Sequence, residues 1–194
     1  MRLVHVEGII GAGKTSVLRE LRSQGHTVVF EDLPAWRDCN GINMLERFYV
    51  QPQAYGRLFQ QLTLHTMVEG VARNAHADVL FVERSLQSNR IFYDQMAPLM
   101  PSADAGVYEA AWRAAEACMA ALASERVHVL LDAGVDTCLH RVRDRGGSDG
   151  EDNVTGGYMS ALQAAHRRQF DVVVSTEQGD VRAAARAVLA AVGL

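Results

Sequence analysis

Short apolar runs alternate with longer helical stretches along almost the whole chain. Strand-length runs are expected at Leu3–Glu7, Thr27–Glu31, Val79–Glu83, Val127–Asp132 and Asp171–Ser175. They read as continuous rather than alternating apolar segments, the pattern of parallel strands buried on both faces. Between them lie helix-length segments. One opens at Thr15 and runs to Ser23. A long one covers Gln53–Ala75, with Leu58, Leu62, His65 and Glu69 at helical spacing, and an Ala-rich one covers Asp104–Ser124. The alternation predicts an α/β fold, a doubly wound five-stranded parallel sheet with helices on both faces and right-handed crossovers. Nothing in the pattern marks a linker or a repeat, so residues 1–194 are expected to form one domain.

A single segment departs from this pattern. Arg145 to Asn153 is polar and glycine-rich, and it follows a helical stretch bearing Arg141, Arg143 and Arg145. Residues 141–153 therefore read either as a lid that closes over phosphates or as a solvated surface loop.

Composition narrows the partners. A formal net charge of -4 and a pI near 6.0 argue against a nucleic-acid polymer, which needs a basic stripe to displace counterions. The three cysteines fit neither a metal site nor a disulfide framework, which suits a reducing, cytoplasmic setting. No apolar run is long enough for a membrane span, and no targeting segment is apparent.

The first candidate chemistry is Gly8-Ile9-Ile10-Gly11-Ala12-Gly13-Lys14-Thr15, followed by Ser16. It matches the phosphate-loop pattern at every fixed position, with a strand before it and a helix after it. Glycines let successive N–H groups turn inward on a phosphate, and the helix start adds its positive dipole end. Lys14 would reach the β- and γ-phosphates of ATP, and the Thr15 hydroxyl would bind Mg²⁺. The motif identifies a nucleoside triphosphate site and leaves the acceptor open.

The acceptor is read from the carboxyl ends of the strands, where open parallel sheets bind ligands. Glu31 and Glu83 close the second and third runs, and Arg84 follows Glu83. Glu31 has the chemistry of a base for an acceptor hydroxyl, Glu83 that of a metal ligand, and Arg84 that of a cation for the transferring group.

Glu83-Arg84-Ser85-Leu86-Gln87-Ser88-Asn89-Arg90 resembles the E-R-S-x-x-S-x-R signature of the deoxynucleoside kinases. The segment from Glu31 to Trp36, Tyr49, the Phe59-Gln60 pair and the arginines from Arg141 to Arg145 resemble that family in order and spacing. The resemblance implies that Glu31 is the general base for a 5′-hydroxyl. It implies that Gln60 reads a base edge with its amide, that Phe59 and Tyr93 sandwich the base, and that Trp36 lines the pocket. It further implies that Tyr49 and Glu151 hold the 3′-hydroxyl, and that Arg84, Arg141 and Arg145 surround the phosphoryl group. Relatives that prefer deoxycytidine and purines carry an Arg and an Asp where Met67 and Asn89 stand here, which points to a pyrimidine such as thymidine. The lid departs from the family pattern near Gly147 and before Glu151. The family resemblance also implies a homodimer, for which the stripe Tyr108, Ala111, Ala115 and Met119 is a candidate face; the other reading is that this stripe packs on its own sheet. Two rival functions remain at this stage: a thymidylate-type monophosphate kinase and a non-catalytic nucleotide switch.

Overall fold

The computed structural model describes residues 1–101, 104–146, 151 and 153–194. Five strands form one sheet: β1 (Arg2–Glu7), β2 (Thr27–Val29), β3 (Val79–Glu83), β4 (Glu125–Asp132) and β5 (Val173–Ser175). Their order is β2-β3-β1-β4-β5 and every pairing is parallel. Helices α1 (Lys14–Ser23), α2 (Leu33–Arg37), α3 (Met44–Val50), α4 (Pro52–Arg73), α5 (Leu86–Met96), α6 (Asp104–Leu122), α7 (Val135–Asp144), α8 (Gly156–Gln169) and α9 (Val181–Ala191) connect and cover it.

Successive strand residues feed two separate cores, as a buried parallel sheet requires. Val4, Val6 and Phe81 join Val17, Leu18, Leu21, Ala185 and Val188 from α1 and α9. Leu3, Leu80 and Val82 join Leu64, Met67 and Val71 of α4 and Tyr108 and Met119 of α6. The sheet therefore has helices on both faces, as the apolar runs predict.

One expectation is corrected, and one pair of alternatives is decided. The second strand ends at Val29 rather than Glu31. It is an edge strand, paired with β3 alone among the described residues, and Asp32 turns the chain away by capping α2, accepting from the Ala35 amide at 3.1 Å. On α4, Leu58, Leu62, His65 and Glu69 stand at helical spacing as expected, and none of them is buried, Leu58 being 44% exposed. The buried stripe is Gly56, Phe59, Gln60, Thr63, Leu64, Met67 and Val71, equally helical in spacing but partly polar, because its upper turns face a cleft. The α6 stripe of Tyr108, Ala115 and Met119 is buried within its own chain, packed in the α4 cluster rather than open to a second copy.

Candidate active site

The loop after β1 is bent by left-handed glycines, with φ of 139° at Gly8, 79° at Gly11 and 94° at Gly13. A side chain at Gly8 would sit 2.6 Å from the Leu131 carbonyl oxygen, so the loop also needs glycine for its close approach to β4. Gly13 caps α1, and Lys14, Thr15 and Ser16 follow on its first turn, all lining the cleft above the loop. The Lys14 ammonium donates to the Ile9 carbonyl at 3.0 Å. Burial, seconded by the charge of Arg84, lowers Lys14 to about 8, against the pull of Glu31 and Glu83.

β3 delivers the acidic and basic groups. The Thr15 hydroxyl donates to Glu83 at 2.7 Å. Burial and the nearby Glu31 raise the Glu83 carboxyl above its ordinary range, which Lys14 and Thr15 partly offset. Arg84 follows in a left-handed conformation, φ 64°, uncommon for a residue with a side chain. Five contacts hold it there. Its amide donates to Val6 at 3.0 Å, its carbonyl accepts from His5 Nδ1 at 3.0 Å, and its guanidinium lies 4.6 Å from the Phe92 ring centroid. The guanidinium also donates to the Gly8 carbonyl at 2.6 Å and to Glu31 at 2.7 Å. The Arg84–Glu31 pair is largely shielded from solvent, with side chains 9% and 18% exposed.

A cleft of about 370 Å³ opens above these groups, of a size that suits a small ligand. Its walls include Trp36, Phe48, Tyr49, Phe59, Gln60, Met67, Asn89, Phe92, Arg145 and Glu151. The Trp36 indole donates to Thr66 at 3.0 Å and meets Phe59 edge-on at 5.4 Å. Burial raises the Tyr49 phenol well above its ordinary value, as does its proximity to Tyr158 and Glu151. Arg145 pairs with Glu151 at 2.6 Å, while Glu151 Oε2 and the Tyr158 hydroxyl are buried without a partner among the described residues. Such orphaned polar atoms beside a cleft are satisfied most simply by a ligand.

The structure thus gathers Glu31, Lys14, Thr15, Ser16, Glu83, Arg84, Arg145, Glu151 and the α3–α5 side chains around one space. Two expected members stand outside it. Arg141 does not line the cleft: its guanidinium reaches behind the phosphate loop to the carbonyls of Gly11 at 3.4 Å and Thr176 at 2.7 Å. Tyr93 does not line it either, being stacked flat on Tyr108 at 3.5 Å, and the neighbouring Phe92 reaches the cleft instead. Arg143 is exposed on α7, and residues 147–150 and 152 of the expected lid lie outside the described residues. Sequence reading missed Phe48 and Phe92. Phe48 stacks on Phe59 at 4.7 Å, and only the (i, i+4) spacing of Met44 and Phe48 hinted that α3 turns it inward.

Comparison with known proteins agrees with this geometry. The deoxynucleoside kinase family profile matches residues 4–182. A thymidine kinase of Ictalurid herpesvirus 1 (strain Auburn) is 30% identical over 182 residues, covering 90% of this chain and 77% of the relative. A "Probable deoxycytidine kinase" of Fowlpox virus (strain NVSL) is 30% identical over 92 residues, 46% of this chain and 38% of the relative. Among solved structures, a deoxyadenosine kinase from M. mycoides with the products dCMP and a flexible dCDP bound superposes with a TM-score of 0.77 at 16% identity, covering 100% of this chain and 99% of that one. That likeness speaks for the fold. The family match over nearly the whole chain, joined to a phosphate loop facing an acid, a buried arginine and a glutamine, places this chain in the deoxynucleoside kinase family.

Proposed function

We propose that this kinase transfers the γ-phosphoryl group of ATP to the 5′-hydroxyl of a pyrimidine deoxyribonucleoside, thymidine foremost, as a salvage step toward DNA synthesis. The observation that carries the reading is the Glu31–Arg84 pair, 2.7 Å apart at the junction of the phosphate loop and an aromatic cleft. A base and a cation meet there where an acceptor hydroxyl would meet a phosphate.

Gly8, Gly11, Ala12, Gly13, Lys14, Thr15 and Ser16 hold the donor phosphates through main-chain N–H groups, the ammonium and the hydroxyls. Thr15 and Glu83 are hard oxygen donors in contact with each other, and Glu83 is crowded by a second carboxylate at Glu31. That donor set fits a small divalent cation such as Mg²⁺, which when bound would neutralise charge between the phosphates. Glu31 takes the proton of the acceptor hydroxyl. Arg84, steadied by Gly8, stabilises the charge of the transferring group, and Arg145 adds a second cation from the end of α7. Gln60 contacts the base edge, with Asn89 behind its amide. Phe59, Phe92, Trp36 and Met67 enclose the ring, and Tyr49 with Glu151 receives the sugar hydroxyl. Arg141 acts indirectly, bracing the phosphate loop through Gly11. Tyr93 acts from behind the aromatic wall.

The likeness to thymidine and deoxycytidine kinases supports a pyrimidine acceptor, and Met67 offers an apolar wall for a 5-methyl group. One lid-bearing domain over residues 1–194 and a homodimer complete the proposal, the dimer face lying away from the buried α6 stripe; equilibrium sedimentation tests it. Among the described residues no helix is long and apolar enough to cross a membrane.

The test mixes the purified chain with γ-labelled ATP and Mg²⁺ and offers thymidine, deoxycytidine, deoxyadenosine, deoxyguanosine and thymidine monophosphate separately. Label in thymidine monophosphate made from thymidine supports the reading. Label found only with the monophosphate acceptor replaces it with a monophosphate kinase, and a purine preference removes the pyrimidine assignment.

A further inference from the structure

The base-reading glutamine is not free to turn. Gln60 is 2% exposed, and its Oε1 accepts from Asn89 Nδ2 at 2.8 Å. An amide can usually rotate by half a turn and exchange donor for acceptor, which would let one glutamine read either of two opposite base edges. Here the exchange is blocked by a chain that begins at a group of fixed polarity.

The chain starts at the Gln60 main-chain carbonyl, a group that can only accept. Asn89 Nδ2 points at that carbonyl at 3.2 Å, and the Thr63 hydroxyl donates to it at 2.9 Å. Asn89 Nδ2 has two hydrogens: one goes to Gln60 Oε1, and the other is shared between that main-chain carbonyl and Thr63 Oγ1, 2.5 Å away, whose own hydrogen is committed. On its other side Asn89 Oδ1 accepts from the Tyr108 hydroxyl at 2.7 Å. Turning the Asn89 amide would set its oxygen against the carbonyl of Gln60. Turning the Gln60 amide would set its Nε2 against Asn89 Nδ2, donor against donor. Both arrangements leave buried polar groups opposed or unpaired, a substantial cost away from water. Asn89 and Tyr108 are 4% and 0% exposed, so water does not relieve it.

We infer that Asn89 is a positioning residue that, anchored by the Gln60 carbonyl, fixes the polarity of the Gln60 amide and so makes the cleft choose between a 4-oxo and a 4-amino pyrimidine. The two bases present opposite patterns at positions 3 and 4: donor then acceptor in thymine, acceptor then donor in cytosine. Gln60 keeps Nε2 as a donor and one Oε1 lone pair as an acceptor, in an order it cannot reverse. One base pairs with both atoms and the other opposes both. The inference rests on the proposed role of Gln60 at the base edge and goes beyond it, since a freely turning glutamine would fill that role without discriminating.

The experiment is kcat/KM for thymidine and for deoxycytidine, measured on the native chain and on Asn89→Leu, which is close to isosteric and has neither donor nor acceptor. The native ratio is expected at about 10- to 100-fold in favour of thymidine, the usual worth of a bidentate match against a mismatch. In Asn89→Leu the ratio falls about tenfold, toward parity, chiefly because deoxycytidine improves relative to thymidine. A purely structural role would lower both substrates together and leave the ratio alone, which would overturn the inference. Should Asn89→Leu lose its cooperative thermal transition, Asn89→Ala decides instead: it removes the same amide without added bulk at the buried position, its expected effect is the same fall of about tenfold in the ratio, and an unchanged ratio there would equally overturn the inference. A native chain that prefers deoxycytidine and loses that preference in the variant supports the fixed amide while refuting thymidine as substrate. A chain that phosphorylates no nucleoside refutes both.

Discussion

Acidification should unfold this protein through two histidines buried in their neutral form. His5 and His166 are 2% and 0% exposed. Burial lowers His5 to about 4, against the raising effect of Glu7, and lowers His166 to about 4 as well. Their tautomers are set by groups that only accept: His5 Nδ1 donates to the Arg84 carbonyl at 3.0 Å, and His166 Nδ1 donates to the Leu162 carbonyl at 2.8 Å. The His166 Nε2 lone pair then accepts from the Ser88 hydroxyl at 3.0 Å. Because each folded-state value is below the unfolded value of 6.5, their contribution is fully present above pH 6.5 and is lost as pH falls toward 4. At pH 5 each has lost about 2 kcal/mol and the pair about 4 kcal/mol, out of a total stability of roughly 5–15 kcal/mol. Thermal unfolding followed by far-UV circular dichroism should therefore show Tm lower at pH 5 than at pH 7 by about 8–16 °C for a domain of this size. His166→Gln, which takes up no proton in this range, should remove about half of that difference. A Tm that moves by less than about 2 °C between the two pH values would refute the assignment of these histidines as buried and neutral. Glu7 adds a second, lower window. Burial raises its carboxyl, but the hydrogen bond from His128 and the charges of His5 and His128 outweigh this and hold it at about 2, so its contribution is lost only below about pH 4.5.

Other outcomes follow from the site. Glu31→Gln should retain donor binding by calorimetry while kcat falls about 10²- to 10⁴-fold, the usual worth of a general base, and near-normal turnover would remove Glu31 from that role. Arg84→Lys should lower kcat about 10²- to 10³-fold, because an ammonium cannot reach the Gly8 carbonyl and Glu31 together with the planar fork of the guanidinium. Gly11→Ala should abolish donor binding, since φ is 79° there and a Cβ would collide with the Cys138 carbonyl; calorimetry on the folded variant checks it. Donor affinity should weaken as pH rises through about 8, where free Lys14 loses its proton, and an affinity that is flat from pH 7 to 9 would contradict the lowered value.

The parallel sheet, the phosphate loop and the helices α1, α4 and α6 were legible along the chain because their signals are local. Apolar runs, glycine spacing and helix propensity act within a few residues, and the five expected strands and these three helices appear within a few residues of where the pattern puts them. The family signature at Glu83 to Arg90 added the acceptor side. The buried stripe of α4 was not legible, because a helix facing a ligand cleft buries Gln60 and Thr63 beside Phe59 and Met67, which hides the stripe from any reading based on hydrophobicity.

Tertiary structure alone decided which groups meet. Glu31 and Arg84 are 53 positions apart, Gln60 and Asn89 are 29 apart, and Arg141 reaches across 130 positions to Gly11. Whether Phe92 or Tyr93 faces the cleft depends on Tyr108 arriving from another helix to stack on Tyr93. Local sequence sets backbone preference and the period of burial, and so determines the elements and the phosphate loop. The polarity of the base-reading amide and the pairing of base with cation depend on side chains brought together by packing two separate cores on one sheet, and no local pattern encodes them.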